Sequence, residues 1–501
     1  MAYERRFAGR QCLLFACAVL LAASQASIAR ATPMNISIRV QSSVPPRLVI
    51  QGEHEGGMQT WSFRKTYGSV MGLGERITGL MLTDRNGKTV SVRKLGPGQY
   101  QAEKQATHFY YEVELDPAIR SGDAAYVSWL TSERGLLLPG DLLPTFTPEP
   151  NRSRQVARVS FELPNLWLIA TSESRINTNE FDISEPDRAV FFISKDLRQS
   201  RARLGRMEFS LCFSGEWDFS AEEGMTVARR IVESYTHSVG AAPAERAMLI
   251  LSPFPNNERA GRWSAETRGT TVVLLSGRQP ARSAALVQLS TPLTHELFHL
   301  WVPNGLALDG DYDWFYEGFT IYQAMRTAQQ LDLLTFQDLL NAVGRAFDTY
   351  LSAPERDTLS LMEASKRRWT TSPSLIYQKA MLVALIYDLT LRTRSRGKQS
   401  LENVYRELFR RYRSGSARTE ANSAVLSVLN NVRGMEGFAS TYLESASMID
   451  LPAVLAPFGL RVEKIGSRSH VLPAQALTRD QRDLLRGLGY NSDSRGSYRN
   501  H

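Results

Sequence analysis

The stretch Thr294-His295-Glu296-Leu297-Phe298-His299, followed by Trp314-Phe315-Tyr316-Glu317-Gly318-Phe319-Thr320, decides how this chain is read. The first segment is an HExxH motif in an apolar, helix-compatible run. Its two histidines fall four apart on one helical face, so both imidazoles can reach one ion. Glu296, one step from His295, projects beside such an ion rather than onto it, which suits a general base. Eighteen positions after His299 (317 − 299), Glu317 interrupts an apolar stripe of Trp314, Ile321, Ala324 and Ala328 on the next expected helix. A carboxylate buried there without a partner costs on the order of several kcal/mol, so it demands either the metal or an arginine. The spacing predicts one zinc ion held by His295, His299 and Glu317. Asn304-Gly305 would stop the first helix and Asp309-Gly310-Asp311 would turn the chain back. Three protein ligands leave a fourth position open, the pattern of a catalytic zinc site.

Outward from this centre, helical periodicity continues from Pro292 to about residue 460, including Ser372-Pro373 through Leu391 and Leu401 to Tyr412. Upstream, Ser220 and Glu223 form a capping box before Val227, Ala228, Ile231, Val232 and Tyr235, and the apolar runs 247–251 and 271–275 read as strands of a small sheet. Residues 34 to 215 alternate with period two, as in Ile36, Ile38, Val40 and in Phe109, Tyr111, Val113, Leu115. Turn chemistry such as Asn86-Gly87 and Gly96-Pro97-Gly98 separates the strands. The expected architecture is multidomain α+β: an antiparallel β-sandwich over 32–215, an α+β catalytic domain over 216–345, a helical portion over 346–465 and a partly disordered tail over 466–501, with one short amphipathic helix near Leu477 to Leu488 and disorder from Asn491.

At the N-terminus, Arg5, Arg6 and Arg10 precede an apolar run from Cys12 to Ala23, and Ala29-Arg30-Ala31 offers small residues for cleavage. This pattern predicts a signal peptide over 1–31 and export to the periplasm or medium. An uncleaved anchor is the alternative, but a bilayer span takes about 20 residues. A lipoprotein site at Cys17 has almost no apolar stretch before it. Cleavage would remove Cys12 and Cys17, leaving Cys212 as a buried strand thiol and no internal disulfide. It would also leave 55 basic residues (59 − 4) and 50 acidic (51 − 1), a charge of +5. So mild an excess, with no basic stripe, excludes nucleic acid as the expected partner, and no stable membrane insertion is expected after cleavage.

His295-Glu296-x-x-His299-Leu300-Trp301 with Trp314-Phe315-Tyr316-Glu317-Gly318-Phe319-Thr320-x-Tyr322 resembles the core of the bacterial glycyl aminopeptidases. These are gluzincins, beside membrane alanyl aminopeptidase and leukotriene A hydrolase, and the likeness covers roughly residues 205–460. The resemblance implies a thermolysin-like catalytic domain. It assigns an oxyanion-stabilising role to Tyr377, in Tyr377-Gln378-Lys379-Ala380, and binding of the substrate ammonium to Glu266, in Trp263-Ser264-Ala265-Glu266-Thr267. Departures are specific: Trp263 and Ser264 stand where the family has glycines and Thr267 where it has histidine. The His299 to Glu317 spacing is nearer that of the alanyl aminopeptidases. After Leu460 only 41 residues follow (501 − 460), too few for the family's PDZ module. The expected function is that of a zinc aminopeptidase acting on peptides. A zinc endopeptidase on the same site, or a degenerate peptidase that only binds peptides, is the alternative.

Overall fold

Period-two alternation becomes sheet over most of the described residues between 34 and 213, because one face of each strand is apolar and buries against a second layer. The computed structural model describes residues 34–118, 120–145, 157–279 and 281–491; the signal-peptide segment and the last ten residues of the expected tail lie outside them. Met34–Ser43, Pro46–Ser62 and Gln99–Glu114 form the middle of a nine-stranded sheet. Arg134–Leu137 and Phe191–Ser194 are the inner strands of a four-stranded one. Ile36, Ile38, Ile50, Tyr111 and Val113 from the first sheet share one apolar core with Leu130, Leu137, Phe191 and Ile193 from the second. The larger sheet is not wholly antiparallel as expected: Met34–Ser43 runs parallel to Ala157–Glu162. Strand alternation reports which face is buried and carries no information about strand direction.

A five-stranded sheet follows, in the order Arg198–Leu204, Met207–Phe213, Arg246–Pro253, Thr271–Ser276, Trp263–Arg268. Its three middle strands are parallel. Cys212, Ile250, Val273 and Leu275 on one face pack with Trp129, Leu136 and Phe192 of the four-stranded sheet. Leu211, Leu249 and Leu274 on the other pack with Ile231, Tyr235, Leu293 and Leu297 of the helices. Burial on both faces explains why 247–251 and 271–275 are continuous apolar runs rather than alternating ones. The Arg198–Leu204 and Met207–Phe213 pair, assigned above to the sandwich, therefore belongs with the strands beside the HExxH helix. The helix Ala221–Val239 begins at the Ser220–Glu223 capping box.

Beyond the site, Phe336–Leu351, Ala380–Ser395, Leu401–Tyr412 and Ala421–Asn430 are helical. The expected tail is largely structured over residues 466–491, with its short helix where the sequence placed it. Arg468–Pro473 pairs with Leu460–Ile465 in a hairpin, and Arg479–Arg486 is a helix. Ser469 ties the hairpin to Asp348, its hydroxyl donating to Oδ1 at 2.6 Å and its amide to Oδ2 at 2.8 Å. Among the described residues no helix is long and apolar enough to cross a membrane.

Candidate active site

The helix Arg282–Phe298 carries His295 and Glu296 and ends with His299 at its C-cap, earlier than the expected stop at Asn304-Gly305. Pro303 keeps the helix from reaching Asn304-Gly305, since it lacks an N–H and disfavours helical conformation at the residue before it. Buried Tyr235 donates its hydroxyl to the Thr294 carbonyl, which fixes the helix directly before the motif. The Nε2 atoms of His295 and His299 lie 3.1 Å apart, and each is 3.6 Å from Glu317 Oε2. Three donors of a tetrahedral zinc at about 2.0–2.1 Å are separated by about 3.3 Å, so this His, His, Glu triangle fits such an ion. His299 Nδ1–H donates to the Val302 carbonyl at 2.8 Å, which fixes the ring with Nε2 facing the triangle.

Glu317 sits in a π-helical turn, Trp314–Phe319, and not in the regular helix that the apolar stripe implied; α-helix begins only at Thr320. A second π turn, Leu375–Lys379, carries Tyr377, and such turns recur at functional sites. Gly318 lets the two approach: a Cβ there would lie 2.2 Å from that of Ala380 and 2.7 Å from the Ile376 carbonyl oxygen. Burial opposes ionisation of Glu317, but the close approach of His295 and His299, with the positive charge of Arg368, holds its carboxyl well below the usual range. The same pairing raises His299 to about 9 although burial alone would lower it. The two alternatives open for Glu317, metal and arginine, use different oxygens. Oε2 faces the histidines, and Oε1 accepts from Arg368 Nη2 at 3.1 Å.

Glu296 is 6% exposed, and Thr267 Oγ1 lies 2.9 Å from both its Oε2 and its carbonyl oxygen. Thr267, noted above only as a departure, thus supports the carboxylate beside the triangle. Glu266 precedes it on the edge strand. Its Oε1 accepts from the Tyr67 hydroxyl at 2.7 Å and lies 4.0 Å from Arg268 Nε, while no hydrogen bond among the described residues reaches Oε2. Burial raises the Glu266 pKa, Arg268 and Tyr67 oppose the rise, and the negative charges of Glu296 and Glu317 add to it. Tyr377 Oη accepts from Arg368 Nη2 at 3.2 Å; burial first, then the Glu317 charge, push its pKa up. Arg368 also donates to Asp313 and Tyr316. The structure thus gathers all six residues singled out in the sequence around one centre. Arg368 and Tyr67 were not singled out: Arg367-Arg368-Trp369 follows no motif, and Tyr67 reaches Glu266 across 199 positions.

Neither a protein-family profile nor a curated protein matches the sequence. Among solved structures, an aminopeptidase N family protein from Idiomarina loihiensis superposes with a TM-score of 0.72 at 19% identity, over 86% of this chain and 79% of that one. An M1 zinc metallopeptidase from Deinococcus radiodurans gives 0.54 at 13% identity, over 84% and 95% of the two chains. A mutant of it in which one glutamate is replaced by alanine, bound to a tyrosine-serine-alanine substrate, gives 0.52 at 14% identity, with the same coverage. The chain has the M1 metallopeptidase fold. At these identities the M1 likeness describes the backbone. The chemistry rests on the donor triangle, Glu296 and Tyr377.

Proposed function

We propose that this chain is an exported zinc-dependent metallopeptidase that removes residues from the amino end of peptides. The observation that carries the reading is the convergence of two imidazoles and one carboxylate at 3.1–3.6 Å, with the buried carboxylate of Glu296 adjacent. His295, His299 and Glu317 would hold the ion. When bound, zinc supplies a Lewis acid that makes a nucleophile of water at neutral pH and polarises the substrate carbonyl. Glu296 takes the proton of the attacking water and returns it to the departing nitrogen, so one carboxylate serves both half-steps. Thr267 holds that carboxylate in place. Arg368 is a donor only, so the Tyr377 oxygen accepts from it and the phenolic hydrogen is free to point at the developing oxyanion. Glu266 Oε2, the oxygen that Tyr67 leaves open, receives the substrate ammonium.

One observation favours a second reading. The Arg268 cation already stands 4.0 Å from Glu266, which weakens the demand for a substrate ammonium and fits an endopeptidase. Free and N-acetylated peptide reporters, with and without a chelator, separate these. Chelator-sensitive cleavage of free peptides alone supports the aminopeptidase. Equal cleavage of both supports the endopeptidase, and cleavage indifferent to chelator removes zinc chemistry altogether.

A further inference from the structure

Asn304, whose expected part is only to stop the HExxH helix, bonds to three separate segments of the chain. Its Nδ2 donates to the His299 carbonyl at 3.0 Å and to the Thr267 carbonyl at 3.3 Å. The first of these residues belongs to the donor triangle, and the second holds the Glu296 carboxylate at 2.9 Å. On its other side, the Asn304 Oδ1 and backbone carbonyl both accept from Arg188 Nη2, the carbonyl at 3.1 Å. Arg188 lies 116 positions earlier, in the short turn Pro186–Arg188 between Glu180–Ile183 of the nine-stranded sheet and Phe191–Ser194 of the four-stranded one. Its Nη1 donates to Glu185 Oε2 at 3.1 Å, which steadies the guanidinium. A guanidinium only donates, so Oδ1 has to face it and the two N–H bonds of the amide have to face the carbonyls.

We infer that Asn304 is a positioning residue for both the general base and one metal-holding histidine, and that Arg188, from the strand-rich region, sets its orientation. The inference rests on the function proposed above. Neither side chain reaches the triangle; each acts through the peptide groups of Thr267 and His299. Thr267 also donates to the Glu296 carbonyl at 2.9 Å, so edge strand, HExxH helix and following turn close one ring of hydrogen bonds with Asn304 at its join. Supporting partners of this kind are worth about 10- to 100-fold in activity or metal affinity.

The test uses Asn304→Asp and Arg188→Ala in the full chain, and each folded variant decides independently. Asn304→Asp keeps the acceptor for Arg188 as an ion pair but turns lone pairs toward both carbonyls, so a mere clasp between sheets and helices would tolerate it. The inference expects kcat on a free tripeptide to fall about 10- to 100-fold with KM within about threefold, and zinc to pass to a chelator about tenfold faster. Arg188→Ala should lose about tenfold in kcat. Guanidinium well below its denaturing range should restore at least about threefold of that, and nothing in Asn304→Asp, because Arg188 and Asn304 line one polar cavity of about 780 Å³. In the zinc-free protein, amide hydrogen exchange over 299–305 should quicken at least about tenfold in both variants and stay unchanged over Phe336–Leu351. Wild-type kcat in the variants, or a loss confined to KM with zinc release and exchange unchanged, overturns the inference while the peptidase reading stands. If the wild type cleaves no peptide, that reading falls, and zinc release and exchange alone decide whether Asn304 holds the turn.

Discussion

Lys379 closes the π turn that presents Tyr377, and it is 1% exposed. Its ammonium finds no hydrogen-bond partner among the described residues, only the face of Tyr350 at 5.6 Å. Burial lowers its pKa from 10.5 to about 8. Below that value both folded and unfolded chains carry the proton, and the folded state bears the whole penalty of a buried charge. Between about 8 and 10.5 the folded state has lost the proton and the unfolded state has not, so stability rises with pH through this window. At about 1.4 kcal/mol per unit the penalty near neutral pH is about 3 kcal/mol, of which the aromatic contact offsets about 1 kcal/mol. Lys379→Met, close in volume, should therefore stabilise the protein by about 2 kcal/mol near pH 7. That advantage should shrink by about 2 kcal/mol by pH 10. Urea unfolding followed by tryptophan fluorescence at both pH values measures the gap. A gap that is constant with pH, or a variant less stable than wild type near neutrality, refutes the account of Lys379 as an uncompensated cation.

At the metal, Glu317→Ala should lose bound zinc by elemental analysis. Glu296→Gln should keep it and lose kcat by about 100- to 10,000-fold; equal zinc in Glu317→Ala and wild type would remove the ligand assignment. Arg368→Met should lower kcat by about tenfold with KM little changed. In a Tyr377→Phe background the same substitution should cost less, because its partner oxygen is gone; strict additivity in this cycle would mean that Arg368 does not act through Tyr377. Burial pushes the Cys212 thiol up to about 12, so the native protein should react with a thiol reagent at least about 100-fold more slowly than the urea-unfolded chain.

The donor triangle was legible in the sequence because it depends on a local rule: four residues of helix return a side chain to the same face. Glu317 was legible because an acid in an apolar stripe needs a partner. Its local geometry was not, since a π turn leaves no periodic trace. Ile321, assigned to the buried stripe, is instead half-buried on the wall of a cavity beside His295 and Tyr377. Alternation located the strands of 198–213 but could not say which sheet they joined, because two sheets bury apolar faces side by side. Arg368 escaped notice for a related reason: its partners Asp313, Tyr316 and Glu317 lie more than fifty positions away and become neighbours only where the turn after Leu361–Lys366 meets Trp314–Phe319.

Tyr67 belongs to the strand-rich front of the chain, yet its hydroxyl rests on Glu266, at the amino-end anchor proposed for the substrate. A hybrid enzyme given another protein's front half would keep every atom of the HExxH helix and still grip its cargo differently. Any selectivity that Glu266 confers would thus be set in part by residues far from the HExxH helix in sequence.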